Sequence, residues 1–170
     1  MKKILSITVL LVAAFTISNT ITAQSLKFGH INTNELFEIM PEKKQAYDAL
    51  EAHAAQLEET LTVMQAEGEK KYSDFIAAAD SLSPLIRQTK ETEIQEISQR
   101  IQQFQQQAQQ EIANKEKELI QPIYEKIRNT IKEVADEGGY IYIFDAASLL
   151  HIGTQSEDIM QAVKAKLGIL

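Results

Sequence analysis

Between Tyr47 and Leu82 apolar positions return on a seven-residue beat. Tyr47, Ala54, Leu61, Gly68, Phe75 and Leu82 form one series, and Leu50, Leu57, Met64, Lys71 and Ala78 follow three residues behind. An a/d repeat sustained in this way is the pattern of a coiled-coil helix, since seven residues return a helix to nearly the same face. It predicts a helix from Glu42 to about Asp80. Gly68 and Lys71 fill their places poorly, so the seam is expected to be loosest in its middle.

The run Asp80-Ser81-Leu82-Ser83-Pro84 ends the beat. Ser83 suits an N-cap and Pro84 a first helical position, where a missing N–H costs nothing. A tight reversal is expected there, and a second helix from Pro84 to about Glu137. Its spacing is eleven residues: Ile101, Ile112, Ile123 and Val134 in one series, Ile86, Ile97, Ala108 and Leu119 in another. That period gives a nearly straight seam. Eight of the twelve residues from Gln99 to Gln110 are Gln, and Ile101, Phe104 and Ala108 keep helical spacing through them. The stretch therefore reads as a solvated helix face. Pro122 is expected to kink this helix. Residues 42–122 form a long antiparallel coiled-coil hairpin.

The two chain ends read differently. Leu26 to Asn32 alternates, with Leu26, Phe28 and His30 on one face and Ile31 on the other, which predicts a strand. Thr33 or Asn34 caps a short helix through Met40, stopped by Pro41. Gly138-Gly139 ends the second helix. Tyr140, Tyr142 and Phe144 then alternate with Ile141 and Ile143, so both faces are apolar and the strand is expected at the centre of its sheet. A further short strand is expected over Leu149–Ile152. Thr154 and Glu157 form a capping-box pattern opening a last helix to about Leu167. The fold class is α+β, mostly α: one domain over residues 24–170, with a small β body from residues 24–41 and 123–170 and a projecting hairpin. A body of roughly 66 residues is marginal alone and leaves sheet edges unpaired, so oligomerisation is expected.

Composition narrows the chemistry. The chain has 170 residues and no Cys, which excludes disulfides, thiolate metal sites, a lipidated Cys anchor and a cysteine nucleophile. Its net charge of −7 argues against nucleic acid as a partner. Lys2 and Lys3, the apolar run Ile4–Ile17 and small Ala23 have the layout of a cleaved secretory signal peptide over residues 1–23. The run is short for a membrane span. No phosphate loop, HExxH, EF-hand or GxSxG is present. His30 and His151 fall in expected strands, but two histidines without a carboxylate at ligand spacing do not make a metal site. Glu93, Glu96 and Arg100 read as ion pairing along a wet helix face. No enzymatic activity and no cofactor are expected.

The positive signal is apolar surface near the hairpin tip. Phe75, Leu82 and Ile86 belong to the seams and are assigned to the hairpin interior. Tyr72, Ile76 and Leu85 lie off them and are candidate contacts for a bound partner. In the body, Phe28, Ile31, Tyr140, Ile141, Tyr142, Ile143 and Phe144 are the candidate assembly residues.

The order of a strand at Leu26–Asn32, a long hairpin, the strand Gly-Gly-Tyr-Ile-Tyr-Ile-Phe-Asp and a closing helix, after a signal peptide, resembles the Skp/OmpH family of periplasmic chaperones. The likeness spans the mature chain and is strongest from Gln121-Pro122-Ile123-Tyr124 to Asp145. It implies a jellyfish-like homotrimer with a β-barrel-like core and three helical tentacles around a cavity. It also implies an ATP-independent holdase that keeps unfolded outer-membrane proteins soluble in the periplasm. One feature departs from the family. Its members are often basic, with positive tentacles suited to anionic lipid or lipopolysaccharide, whereas residues 67–93 here carry six carboxylates against four cations. Membrane or lipopolysaccharide contact is therefore not expected, while capture through apolar contact is. The main rival is a structural or adaptor coiled coil of the cell envelope, using the hairpin as a spacer or as a docking surface for one folded partner; a spacer needs a filled seam and a polar exterior. An efflux-adaptor hairpin would need flanking domains that the short ends scarcely supply.

Overall fold

The computed structural model describes residues 26–169. The expected signal peptide, with Gln24, Ser25 and Leu170, lies outside the described residues. In chain order the elements are β1 (Phe28–Ile31), α1 (Thr33–Glu38), α2 (Pro41–Ala78), a 3-10 turn (Ala79–Ser81), α3 (Pro84–Gly138), β2 (Tyr142–Asp145), a second 3-10 turn (Ala146–Ser148), β3 (Ser156–Asp158) and α4 (Met160–Leu167).

The hairpin follows its two repeats. α2 has 38 residues and α3 has 55, about 57 and 82 Å at a rise of ~1.5 Å per residue. From Leu50 to Leu82 every heptad position is half-buried, Gly68 and Lys71 included. Tyr47 departs from the pattern: it is exposed and Ala46 is buried in its stead. Near the body α2 packs on Leu119 and Ile123 of α3 and joins the body core, so that core sets its phase. On α3 the eleven-residue series holds from Ile97, 1 % exposed, through Ile101, Ala108, Ile112, Leu119 and Ile123 to Val134. Ile86 breaks it and faces solvent. It lies in the first turn of α3, where half-buried Arg87 turns back instead and donates to the Ala79 carbonyl. Every Gln between residues 99 and 110 is exposed, as the solvated-face reading requires. α3 runs unbroken through Pro122.

The reversal uses the expected cap: Ser83 Oγ accepts from the Ile86 N–H at 3.4 Å. Lys71, the misfit of the seam, is held between Glu67 (3.8 Å) and Glu93 (3.7 Å), the latter across the hairpin. Lys90, 3.0 Å from Glu93, is the main cause holding that carboxyl below its usual range, with Lys71 adding to it. Glu93 thus bridges the helices rather than pairing with Arg100, and among the described residues Glu96 and Arg100 form no ion pair. Gly68 faces Ile101 and Ile97; a methyl group there would sit 3.4 to 3.8 Å from their side chains, ordinary contact distance. Gly68→Ala should therefore stabilise the hairpin by up to about 1 kcal/mol, the helix-propensity difference, read as a raised melting temperature. A lower one would mean that the helices cannot accept the methyl.

In the body the sheet order is β2-β1-β3 and both pairings are parallel. β1 is therefore central and β2 is an edge, contrary to the expectation from its two apolar faces. The third strand is Ser156–Asp158, not Leu149–Ile152, which is irregular. The Thr154/Glu157 capping box does not form either: Glu157 lies within β3, and the last helix opens at Met160, whose N–H is accepted by Asp158 Oδ1 at 2.9 Å. Glu157 is engaged by Lys27, 3.0 Å away, which with Tyr140 holds its carboxyl below the usual range. α1 is capped by Asn32, whose Oδ1 accepts from the Glu35 N–H at 3.1 Å, rather than by Thr33 or Asn34. Pro41 both closes that segment and opens α2, at a position where no N–H is needed. Gly139, at φ +66°, caps α3 in the left-handed region.

Parallel pairing places Gly29, Ile31 and Ile143 on one face and Phe28, His30, Tyr142 and Phe144 on the other. The first face packs on the lower third of α3 and on α4, in a core of Ile31, Leu36, Phe37, Met40, Ile123, Ile127, Val134, Ile159, Met160 and Val163. Gly29 is needed for closeness, since a Cβ there would lie 2.6 Å from the Ile143 side chain. Thr33 ties α1 to β2, donating its hydroxyl to Asp145 Oδ2 at 2.6 Å, and this bond is the main cause lowering the Asp145 pKa. A depressed carboxylate stabilises the fold above its unfolded pKa, and that contribution fades as pH falls through the folded one. Thr33→Val should thus cost about 1 kcal/mol at pH 7 and clearly less near pH 3, measured by urea unfolding at both. An equal cost at both would assign the loss to packing.

Candidate functional site

Among the described residues, two apolar surfaces stand out once the hairpin and the body have packed. The first is the tip. Tyr72 and Ile76, four residues apart on one face of α2, are 56 % and 55 % exposed, and Leu85 in the first turn of α3 is 74 % exposed. All three therefore face solvent. Phe75 and Leu82 are half-buried, as the seam requires, and line a small groove with Ala78 and Ile94, rimmed by Lys71, Asp74, Lys90 and Glu93. Ile86 adds to the exposed set. Part of the charge at the tip is paired: Lys70 meets Asp74 at 2.7 Å, and Lys90 and Lys71 meet Glu93, so the cations there are mostly engaged. The surface offers large apolar side chains in a mildly acidic setting, suited to many weak contacts and to no anionic group.

The second surface is the outer face of the sheet. Phe28 stacks on Tyr142 with centroids 6.3 Å apart, and Tyr142 lies 6.0 Å from Phe144. Leu149, His151 and Ile152 from the following loop line the same groove. Tyr142, Phe144, Leu149, Leu150 and Ile152 are all exposed. Parallel sheets are ordinarily covered on both faces, and the described residues cover only one.

The candidate assembly residues divide accordingly. Ile31 is fully buried in the chain's own core, and Ile143 and Tyr140 pack against that core. The Lys27 ammonium sits 4.1 Å above the Tyr140 ring, and burial is the main cause raising the Tyr140 phenol above its usual pKa. Phe28, Ile141, Tyr142 and Phe144 are left for an outside contact. The loop residues Leu149, Leu150 and Ile152, in the segment that the sequence predicts as a strand, belong with them. The available signal was the absence of any Asp, Glu, Lys or Arg from Ala146 to Ser156, which in a loop points to cover by something else.

His30 does not meet His151 as a ligand pair; its Nδ1 lies 2.9 Å from Ser156 Oγ across β1 and β3. Among the described residues, no group of three or more His, Asp or Glu is placed to hold a metal ion, and no helix is long and apolar enough to cross a membrane.

Comparison with known proteins gives a consistent result. A family model described as outer membrane protein (OmpH-like) matches residues 27–167. The chaperone protein Skp of Vibrio cholerae is 22 % identical over 141 residues, covering 81 % of this chain and 83 % of that protein. The crystal structure of an OmpH-like outer membrane chaperone from Caulobacter crescentus CB15 superposes with a TM-score of 0.71 at 15 % identity. It covers 84 % of this chain and 83 % of that one. At that identity the likeness establishes the fold.

Proposed function

Because this chain belongs to the OmpH-like family, we propose that it is an ATP-independent holdase that binds unfolded outer-membrane proteins in the periplasm. The observation that carries the reading is the tip: Tyr72, Ile76 and Leu85 stand in solvent, off the seam of the hairpin. A hairpin that serves only as a spacer has no use for them. The signal-peptide pattern of residues 1–23 supports export.

We further propose that three copies associate through the outer sheet faces, around Phe28, Tyr142 and Phe144 with exposed Ile141 just before β2, and hold their hairpins about a common cavity. Each tip contact is weak, at about 25 cal/mol per Å² buried. Three hairpins facing one client make these contacts simultaneous, so the weak sites add through effective concentration. Release follows when membrane insertion offers the client a better sink. The mildly acidic charge of the tip supports apolar capture over lipid binding.

The test is to dilute a urea-unfolded β-barrel membrane protein into buffer with and without the chain, without nucleotide, and follow light scattering. The proposal expects aggregation to be suppressed at a few-fold molar excess. Unchanged scattering would overturn it.

A further inference from the structure

The segment between β2 and β3 is held at both ends and projects in its middle. At its start Asp145 Oδ1 accepts from the Ala147 N–H at 3.1 Å, and the Ala146 carbonyl accepts from the Leu149 N–H at 3.2 Å. At its end the Gly153 carbonyl accepts from the Ser156 N–H at 3.0 Å. Between these anchors the chain bends at Leu150. Leu149 and Ile152, on either side of the bend, line the outer groove of the sheet with Phe28 and Phe144. Leu150 does not join them. It is 107 % exposed, more than any other large apolar side chain among the described residues. A lone exposed leucine is ordinary. This one stands beside an apolar groove that no described residue fills.

We infer that Leu150 seats in the groove of a second copy of this chain, head to tail, so that each copy gives one leucine and receives one. Resting on the trimer proposed above, this contact adds the residue that each copy contributes to the next. Symmetry supplies the reason. A pair about a twofold axis can use the same patch on both sides, but a closed ring of three joins unlike patches. The outer face must then carry a donor and an acceptor. It holds two such unlike features, a projecting aliphatic side chain on an anchored bend and a groove walled by Phe28, Phe144, Leu149 and Ile152.

Charge points to the same occupant. The chain carries a net charge of −7, so two copies repel over much of their surface. From Ala146 to Ser156 there is no Asp, Glu, Lys or Arg, and no carboxylate lines the groove. Here two copies can approach without setting carboxylate against carboxylate. The hydrogen bonds at both ends of the segment also limit the ordering that association would otherwise cost.

The experiment measures mass by sedimentation, at micromolar concentration and above, for the parent, Leu150→Asp, Phe144→Glu and an equimolar mixture of the two variants. Leu150 makes no packing contact in its own chain, so Leu150→Asp should fold, with the parent's circular dichroism. Each variant alone should run as single chains, since one lacks the donor and the other the acceptor. The mixture should form a pair and stop there, because one chain keeps its leucine and the other its groove. Leu150→Met should keep the parent's mass, and Leu150→Ala should weaken association by about tenfold or more. A Leu150→Asp protein with the parent's mass, or a mixture that stays as single chains, would overturn the inference and leave the trimer proposal standing. A parent that is itself a single chain would overturn both. None of these readings involves a client, so the holdase proposal can fail without touching them.

Discussion

Phe144→Glu should convert the proposed trimer into single chains at micromolar concentration while their helical hairpins stay formed. Phe144 is on the outer face of β2, in the aromatic row with Tyr142 and Phe28, and it is exposed in the single chain. A charge there is solvated in the free protein and buried without a partner in the assembly, so the cost falls on association alone. Ile143→Glu is the contrasting change. Ile143 points the other way, against Gly29 and the body core, and a charge at that place should cost at least about 3 kcal/mol and unfold the body itself. Sedimentation and circular dichroism on both variants separate the two outcomes. A Phe144→Glu protein that keeps the parent's mass would show that this face is not the contact between copies.

Changing Tyr72, Ile76 and Leu85 together to Ser should abolish most of the suppression of aggregation without altering mass or helix content. The three are exposed and take no part in the seam, so the fold loses little. The client loses three apolar contacts on each hairpin, repeated around one cavity, and the losses multiply through effective concentration. A change of about tenfold or more in the chaperone concentration needed for half protection is expected. Salt should change that concentration little, because the proposed contacts are apolar and exposed charges are screened within about 8–10 Å. Were the triple variant as protective as its parent, the grip would lie elsewhere, on the walls lower down the hairpin.

The helices were legible because their information is local. A seven- or eleven-residue repeat states which positions share a face, and Leu50 to Leu82 and Ile97 to Val134 are less exposed as that geometry demands. The exceptions, Tyr47 and Ile86, sit at the ends of their series, where the body core and the reversal set the packing instead of the partner helix. The sheet was less legible for the opposite reason. Nothing within Ser156-Glu157-Asp158 marks a strand; pairing with Phe28 to His30 makes it one, and Lys27 holds its Glu157. Tyr140 to Phe144 carries apolar residues on both faces, which signals cover on both sides but not by whom. Within the described chain only the Ile143 side is covered, and β2 is an edge. At the tip, distance from the seam was enough to place Tyr72, Ile76 and Leu85 in solvent. Seam spacing could not show that Gly68 faces Ile97 and Ile101 with space left for a methyl group, or that Lys71 is answered from the other helix by Glu93.

The central claim is that several hairpins close around one unfolded chain. The most direct measurement is the molar mass, by light scattering after gel filtration, of the complex formed with a urea-unfolded β-barrel membrane protein in the absence of nucleotide. The account predicts a discrete species holding three copies of this chain and one client. A complex of one copy with one client, or elution of the two proteins apart while the client aggregates, would contradict it.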